Sequence, residues 1–364
     1  MSNVIQVKGK QLVMDVLLDT AGNYSVCGYA ERMEKAFGLI FLGLDKTDPE
    51  YLAQSQAAIA AIGAITERGA FDQALQATRT VMQGLAGQST FDMKDVSDKV
   101  LAALCNLWFD LPDEEFVITS SSFWPFKPGH CPGHYAPPSG YIFEPEPGIV
   151  LSQLGKWDGG ILRSEANKFV ARHRQAGTTP GGPVSSAIFA AFPNSPAQDD
   201  LLARTLIGVM MGFLPTAQGN IAAVAKAWEG STFQQLRGAW LGWPQADLYL
   251  RAGNVIRTPM IEAMQGAPTP PQIWRTAARD HLLGNPPVDV KQGDRLFINL
   301  DSATGEDLAN GISDPMPIFG GDRSQNPHPT HACPGYNAAM GALMGILAGT
   351  LETRPVLKNG WSLF

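Results

Sequence analysis

The sequence predicts a mainly α-helical protein folded as a single domain over residues 1–364, and three observations support this. Apolar residues recur at helical spacing in most segments, as in DMKDVSDKVLAALCNLWFDLP from residue 92. The segment LLARTLIGVMMGFLPTAQGNIAAVAKAW, from residue 201, is apolar on nearly all sides, which is typical of a buried central helix. Strand-like alternation is confined to short stretches such as RLFINL at 295–300.

Capping residues and helix breakers place the other elements. Residues 49–87 are predicted to form two helices interrupted near 68–71. Asp92 suits the start of the next helix, because its negative charge is stabilised by the positive end of the helix dipole. A further helix is expected over 245–265. A β hairpin is expected around the KQGD turn at 291–294.

The central apolar helix carries a proline in its middle. Pro196 fits its first turn, whereas Pro215 removes a backbone hydrogen bond and is expected to kink the helix at a cost of about 3 kcal/mol. Gly212 and Thr216 beside this break are small or polar. We therefore expect room for a ligand there.

Charge and composition narrow the function classes. The chain has 27 basic and 34 acidic residues, a net charge of -7, which does not favour nucleic acid or an anionic membrane surface. We expect no membrane span, and the start MSNVIQVKGKQ lacks the apolar core of a signal peptide. A cytoplasmic protein is therefore expected, with its four cysteines reduced.

A Pro/Gly-rich loop, SSSFWPFKPGHCPGHYAPPSGYIFEPEP, is predicted at about 120–147. It contains His130-Cys131-Pro132-Gly133-His134, which echoes HACPG at 331–335. No small-residue helix follows Cys131. We interpret the loop as structural or as a lid, with a second metal site or a redox role as alternatives.

Four roles are open for Cys333, which stands in HPTHACPGYNAAMGALMGILAG. It could be an unreactive packed cysteine. It could bind zinc with His328 and His331, and with His130, Cys131 or His134. It could be a nucleophile with His331 as base. Finally, it could be a thiolate ligand of heme iron. The Pro334–Gly335 turn would then aim backbone N–H groups at sulfur, at the positive end of the following helix. The Ala and Gly residues of that helix would permit close approach to a flat macrocycle.

Several segments, in this order, resemble the cytochrome P450 superfamily. FGGDRSQNPHPTHACPG at 319–335 resembles that family's cysteine loop, although it is longer than usual. IWRTAARDHLLGNPPVDVKQGDRLFINLDSA at 273–303 resembles the segment that carries a propionate-binding arginine, which Arg275 matches. IGVMMGFLPTAQGN at 207–220 resembles the central helix on the distal side of the heme.

The resemblance implies a P450-like helical prism with small β hairpins, a reduced N-terminal region, and heme b (iron protoporphyrin IX) as the cofactor. Cys333 would be the axial iron ligand. The other implied cofactor-binding residues are Phe319, His331, Gly335, Arg275, Gly212 and Phe213. His331 and Arg275 would hold propionates, and Pro215 and Thr216 would be the catalytic positions on the distal face.

Three family motifs are altered. The motif E-x-x-R reads Glu262-Ala263-Met264-Gln265, with Arg257 as a candidate substitute for the arginine. The propionate-binding His-x-x-x-Arg reads Tyr51-x-x-x-Ser55. The distal acid–threonine pair reads Pro215-Thr216, and no carboxylate lies between Arg204 and Trp228.

Leu-Pro-Thr at 214–216 resembles the Arg-Pro-Thr of the fatty-acid peroxygenase branch, with Leu214 in place of the carboxylate-binding arginine. An acid–base group would then come from the substrate or from a side chain such as Gln218.

The resemblance implies an oxidoreductase that oxidises a small organic substrate, with hydrogen peroxide favoured over dioxygen and an electron donor. A heme-thiolate isomerase or dehydratase and a non-catalytic heme-binding protein are the alternatives. The sequence identifies no redox partner. A shortened N-terminal region would leave apolar surface for a homodimer.

Overall fold

The computed structural model describes residues 3–111, 132–324, 329, 331–353 and 355–358. Within these residues the chain is mainly helical, as predicted. The helices are α1 (Lys10–Leu17), α2 (Ala30–Ala36), α3 (Pro49–Gly63), α4 (Glu67–Gln83), α5 (Met93–Phe109), α6 (Ala136–Phe143), α7 (Ile149–Ala176), α8 (Pro183–Ala191), α9 (Pro196–Ala227), α10 (Ser231–Gly242), α11 (Leu248–Val255), α12 (Arg257–Gly266), α13 (Leu300–Ala309) and α14 (Tyr336–Leu351).

The strands are short and form three small sheets. They are β1 (Val4–Val7), β2 (Tyr24–Ser25), β3 (Thr90–Phe91), β4 (Gln272–Ala277), β5 (His281–Leu283), β6 (Val288–Val290), β7 (Arg295–Asn299) and β8 (Val356–Leu357). The largest sheet has the order β1-β7-β4-β2, with β1 parallel to β7 and β4 antiparallel to both β7 and β2. The N-terminal region, short as it is, thus supplies two of its four strands.

The hairpin lies one strand earlier than predicted. β5 and β6 pair antiparallel, whereas the KQGD turn joins β6 to β7, which belongs to a different sheet. The prediction of a hairpin around KQGD is therefore wrong. β7 lies between β1 and β4 in the larger sheet, so its backbone pairs with those two strands instead of with β6.

Two other predicted boundaries differ from the structure. The break predicted at 68–71 lies earlier, because the Thr66 hydroxyl accepts a hydrogen bond from the Gly69 N–H and starts α4 at Glu67. The helix predicted over 245–265 is broken at Ile256. Asp92 does cap α5, where its carboxylate accepts the Lys94 N–H at 2.9 Å.

The segment predicted as a loop over 120–147 contains a helix. Its first residues, including His130 and Cys131, lie outside the described part of the chain. From Ala136 the chain forms α6, which packs on α7. Pro137 lies in the first turn of α6, where its missing N–H leaves no partner unsatisfied, so the prolines start a helix rather than prevent one.

Helix α9 is the central element. It runs for 32 residues and continues through Pro215. It is long and apolar enough to cross a membrane by length and composition, contrary to the sequence expectation, but 67% of its most apolar window is buried inside the fold. It packs against α3, α5, α7 and α12, so its nearly uniform apolarity is explained by neighbours on several sides.

Glycines on α14 hold it against α4. A Cβ at Gly345 would lie 2.8 Å from the Ala74 Cβ and 2.9 Å from the Leu75 backbone nitrogen, and Gly341 and Gly349 make similarly close approaches. The small residues after Cys333 were expected to allow close approach of the cofactor. The glycines instead permit helix–helix packing.

We expect Gly345→Ala to destabilise the protein by about 1–3 kcal/mol or more, because the added methyl would overlap the backbone of α4. Gly305→Ala in α13 is the matched control: nothing lies within 4 Å of its Cβ position, so helix propensity should raise stability by about 0.5–1 kcal/mol. Thermal unfolding of both variants checks this. Equal midpoints for Gly345→Ala and the wild-type protein would contradict it.

Candidate cofactor and substrate site

One cavity of about 1410 Å³ lies between α9 and the N-terminus of α14. A typical small-molecule pocket measures about 300–1,000 Å³, so this cavity has room for more than one small ligand. It brings together all nine residues predicted for the site: Gly212, Phe213, Pro215, Thr216, Arg275, Phe319, His331, Cys333 and Gly335.

Cys333 lies in a turn that directs a backbone N–H donor at its sulfur. Its backbone N–H donates to the Phe319 carbonyl oxygen at 2.8 Å, which fixes the loop. Burial raises the pKa of the thiol, while the Gly335 backbone N–H, which donates to sulfur, and the nearby Arg323 charge act to lower it. Gly335 is the N-cap residue of α14, so the sulfur lies at the positive end of that helix.

A cluster of positive charge lies at one side of the cavity. Arg275, on β4, donates to the Tyr29 hydroxyl at 3.1 Å and to the Trp274 carbonyl oxygen at 2.9 Å, and it has no carboxylate partner among the described residues. Burial and the charges of Arg275, Lys46 and Arg323 lower the pKa of His331 to about 3, so the ring is neutral at pH 7.

A side pocket of about 150 Å³ adjoins this cluster. It is lined by Tyr51 and Ser55, the altered His-x-x-x-Arg positions, together with Arg275, Arg323 and His331. Arg323 donates to the Ala332 carbonyl oxygen at 2.7 Å. Neither Arg323 nor Lys46 was predicted from the sequence as a member of this cluster.

The opposite wall is formed by α9. Gly212 opens onto the cavity, with nothing within 4 Å of its Cβ position. The Thr216 hydroxyl donates to the carbonyl oxygens of Gly212, at 2.5 Å, and Phe213, at 3.1 Å. The hydroxyl proton of Thr216 is therefore engaged in hydrogen bonds to the helix backbone. No carboxylate of α9, all of which is described, lines the cavity.

Gln218, proposed from the sequence as an acid–base group, is not part of the site. Its side-chain amide donates to Asp98 on α5 at 2.6 Å, and it does not line the cavity. Asn220, one turn beyond Thr216, does line it and was missed.

Arg257 does not replace the missing E-x-x-R arginine by pairing with Glu262. It forms an ion pair with Glu67 of α4 instead. Glu262 accepts a hydrogen bond from the Ser313 hydroxyl at 3.0 Å, and the Gln265 amide donates to the Ile312 carbonyl oxygen at 3.1 Å. Single hydrogen bonds to Ser313 and Ile312 thus stand where the motif would supply an ion pair.

The zinc and nucleophile alternatives for Cys333 gain no geometric support. Within the described residues no group of three or more His, Cys, Asp and Glu side chains could hold a metal ion; His328, His130 and Cys131 lie outside them. His134 is buried against Asp158, with the two side chains 2.7 Å apart. His331 meets Tyr51 edge to face, and no hydrogen bond to Cys333 joins it as a base.

The chain has the cytochrome P450 fold. No family model matches the sequence, and no curated protein matches it significantly. Among solved structures it is similar to a mutant of P450 EryK in complex with erythromycin B, with a TM-score of 0.66 at 16% identity over 95% of this chain and 82% of that one. It is equally similar, with a TM-score of 0.66 at 12% identity, to P450BioI in complex with an acyl carrier protein carrying hexadec-9Z-enoic acid, over 95% and 84% of the two chains.

Proposed function

We propose that this protein is a heme-thiolate oxidoreductase that oxidises a small organic substrate and uses hydrogen peroxide in preference to dioxygen. The observation that carries the proposal is the single cavity with Cys333 on one wall and Thr216 on the other. Its volume exceeds that of a pocket for one small ligand, which supports a cofactor and a substrate side by side.

The donor set fits heme b. A buried thiol supplied with a backbone N–H donor is suited to an axial iron ligand. Arg275, which lacks a carboxylate partner among the described residues, would bind a propionate, together with His331, Arg323 and Lys46. The methyl groups of Ala338 and Ala339 on α14, rather than its glycines, line the cavity beside Cys333. When bound, the heme would supply the redox chemistry.

The protein's own part would be to position the substrate and exclude water. Transfer of one oxygen atom from hydrogen peroxide converts a C–H bond to C–OH and leaves water, so no outside electrons are needed. The same product from dioxygen requires two electrons and two protons. The described wall of α9 offers no carboxylate to deliver those protons, which favours peroxide.

The test of the proposed function is a hemin titration of the purified protein followed by its visible spectrum. We expect a Soret band at one heme per chain and a thiolate-type spectrum of the reduced carbon monoxide complex. A protein that binds no heme, or binds it without the thiolate signature, would lead us to abandon the proposal.

Arg275→Ala should weaken heme retention by roughly 10- to 150-fold, since a hydrogen bond to a charged group contributes about 1.5–3 kcal/mol. Transfer of heme to an excess of an apoprotein acceptor measures the dissociation rate. Arg279→Ala is the matched control, because Arg279 follows β4 closely but does not line the cavity, and it donates to the Asn23 side-chain oxygen and the Ala21 carbonyl oxygen instead. Equal heme loss from both variants would count against the role of Arg275.

A further inference from the structure

We infer that Tyr29 is a positioning residue for Arg275: its buried hydroxyl holds the guanidinium so that one edge of it is left to bind a carboxylate. The inference deepens the proposed function and rests on it, because that carboxylate is taken to be a heme propionate.

The Tyr29 hydroxyl is fully used by hydrogen bonds. The residue is 2% exposed, and burial raises the pKa of its phenol, so the oxygen keeps its proton. That proton is donated to the Trp274 carbonyl oxygen at 2.6 Å, because a carbonyl can only accept. The two lone pairs of the oxygen then accept from the Trp274 backbone N–H and from Nη1 of Arg275, each at 3.1 Å.

The position of this hydroxyl follows from the early end of β2. That strand has only two residues, and its pairing with β4 ends at Thr276. The chain then turns at Cys27–Tyr29, so β2 does not reach Trp274. The Tyr29 hydroxyl instead bonds both the N–H and the carbonyl oxygen of Trp274, whose buried backbone groups need partners. The backbone of β4 therefore fixes the direction of the hydroxyl.

The same contacts fix the orientation of the Arg275 guanidinium. Nη1 carries two hydrogens, and it donates to the Tyr29 oxygen and, at 2.9 Å, to the Trp274 carbonyl oxygen. Nη1 is thus occupied, whereas Nη2 and Nε have no hydrogen-bond partner among the described residues. Two parallel N–H groups of a guanidinium match the two oxygens of a carboxylate. Arg275 lines the side pocket, where no carboxylate of the described chain competes for it.

Holding this edge in advance reduces the entropic cost of binding. An arginine side chain loses rotamer freedom when a ligand immobilises it, and a site that is already ordered loses less. Tyr29→Phe removes only the hydroxyl. Its ring would keep the edge-to-face contacts with Trp274, at 4.8 Å, and Phe143, at 5.1 Å, so the variant should fold.

The experiment is a double-mutant cycle on heme loss, measured by transfer of heme to an excess of an apoprotein acceptor. Tyr29→Phe should speed heme loss by roughly 3- to 10-fold, the range that one hydrogen bond supplies. In an Arg275→Ala background the same change should alter the rate by less than about 2-fold, because no guanidinium is left to position. The effect should also vanish with hemin dimethyl ester, whose esterified propionates carry no charge.

Tyr135→Phe is the matched control and should lose heme at the wild-type rate. Tyr135 is also buried, but its hydroxyl donates to the Met210 sulfur at 3.4 Å and it lines neither pocket. Equal effects of Tyr29→Phe in both backgrounds, or on the dimethyl ester, would show that the hydroxyl only supports the fold and would overturn the assignment. So would wild-type heme retention in Tyr29→Phe. A wild-type protein that binds no heme contradicts the proposed function itself, and the same samples show it.

Discussion

Cys333→Ala is expected to abolish the thiolate-type carbon monoxide spectrum and most heme binding. Cys333 is the only described cysteine that lines the cavity, so its removal leaves no described thiol there to bind iron. The backbone donors around it would remain, because the Cys333 N–H bonds to Phe319 through the main chain. The variant should therefore fold and lose the ligand alone.

Two further variants make this result specific. Cys27→Ala removes an exposed cysteine outside the cavity and should leave the spectrum unchanged. Cys131→Ala, at a position outside the described residues, should also retain it, as the sequence predicts from the absence of a following small-residue helix. Loss of the thiolate signature in Cys131→Ala, with its retention in Cys333→Ala, would reverse the assignment.

The parts of the site that the sequence predicted are those that local patterns determine. The turn at Pro334–Gly335 and the helix after it are continuous in sequence, so their position around the Cys333 sulfur could be predicted. Pro215 and Thr216 are adjacent on one predicted helix, so their position beside each other could be predicted.

The features that the sequence could not predict depend on contacts between segments that lie far apart in the chain. Lys46 and Arg323 are 277 residues apart, and only the fold brings both beside His331. The glycines of α14 were associated with the cofactor because nothing in their own segment shows that α4 packs against them.

The error over Gln218 was avoidable from the sequence. Successive residues of an α-helix are about 100° apart, so Gln218 lies about 200° from Thr216, on the opposite face, whereas Asn220 lies about 40° away. The structure agrees: Gln218 bonds Asp98 of α5, and Asn220 lines the cavity. The angular spacing of helical residues was therefore the sequence signal that could have identified Asn220 as a cavity residue.

Peroxide-supported turnover is expected to exceed turnover with dioxygen and a surrogate reductase on the same substrate, by roughly 10²-fold or more. A positioned acid or base typically contributes about 10²–10⁴-fold to such a reaction. Here the Thr216 proton is held by the Gly212 and Phe213 carbonyl oxygens, and Pro215 has no N–H. Hydrogen peroxide brings its own protons and electrons, so it depends less on these side chains.

The variant that tests the cause is Pro215→Asp, which places a carboxylate beside Thr216 on the cavity wall. It should raise product formed per electron consumed with dioxygen, whereas Pro215→Ala, which restores the backbone N–H without an acid, should not. Efficient dioxygen turnover by the wild-type protein, without peroxide activity, would refute the oxidant preference. If the heme is bound and neither oxidant gives product, the isomerase or dehydratase alternative becomes the better account, because it needs neither electrons nor delivered protons from α9.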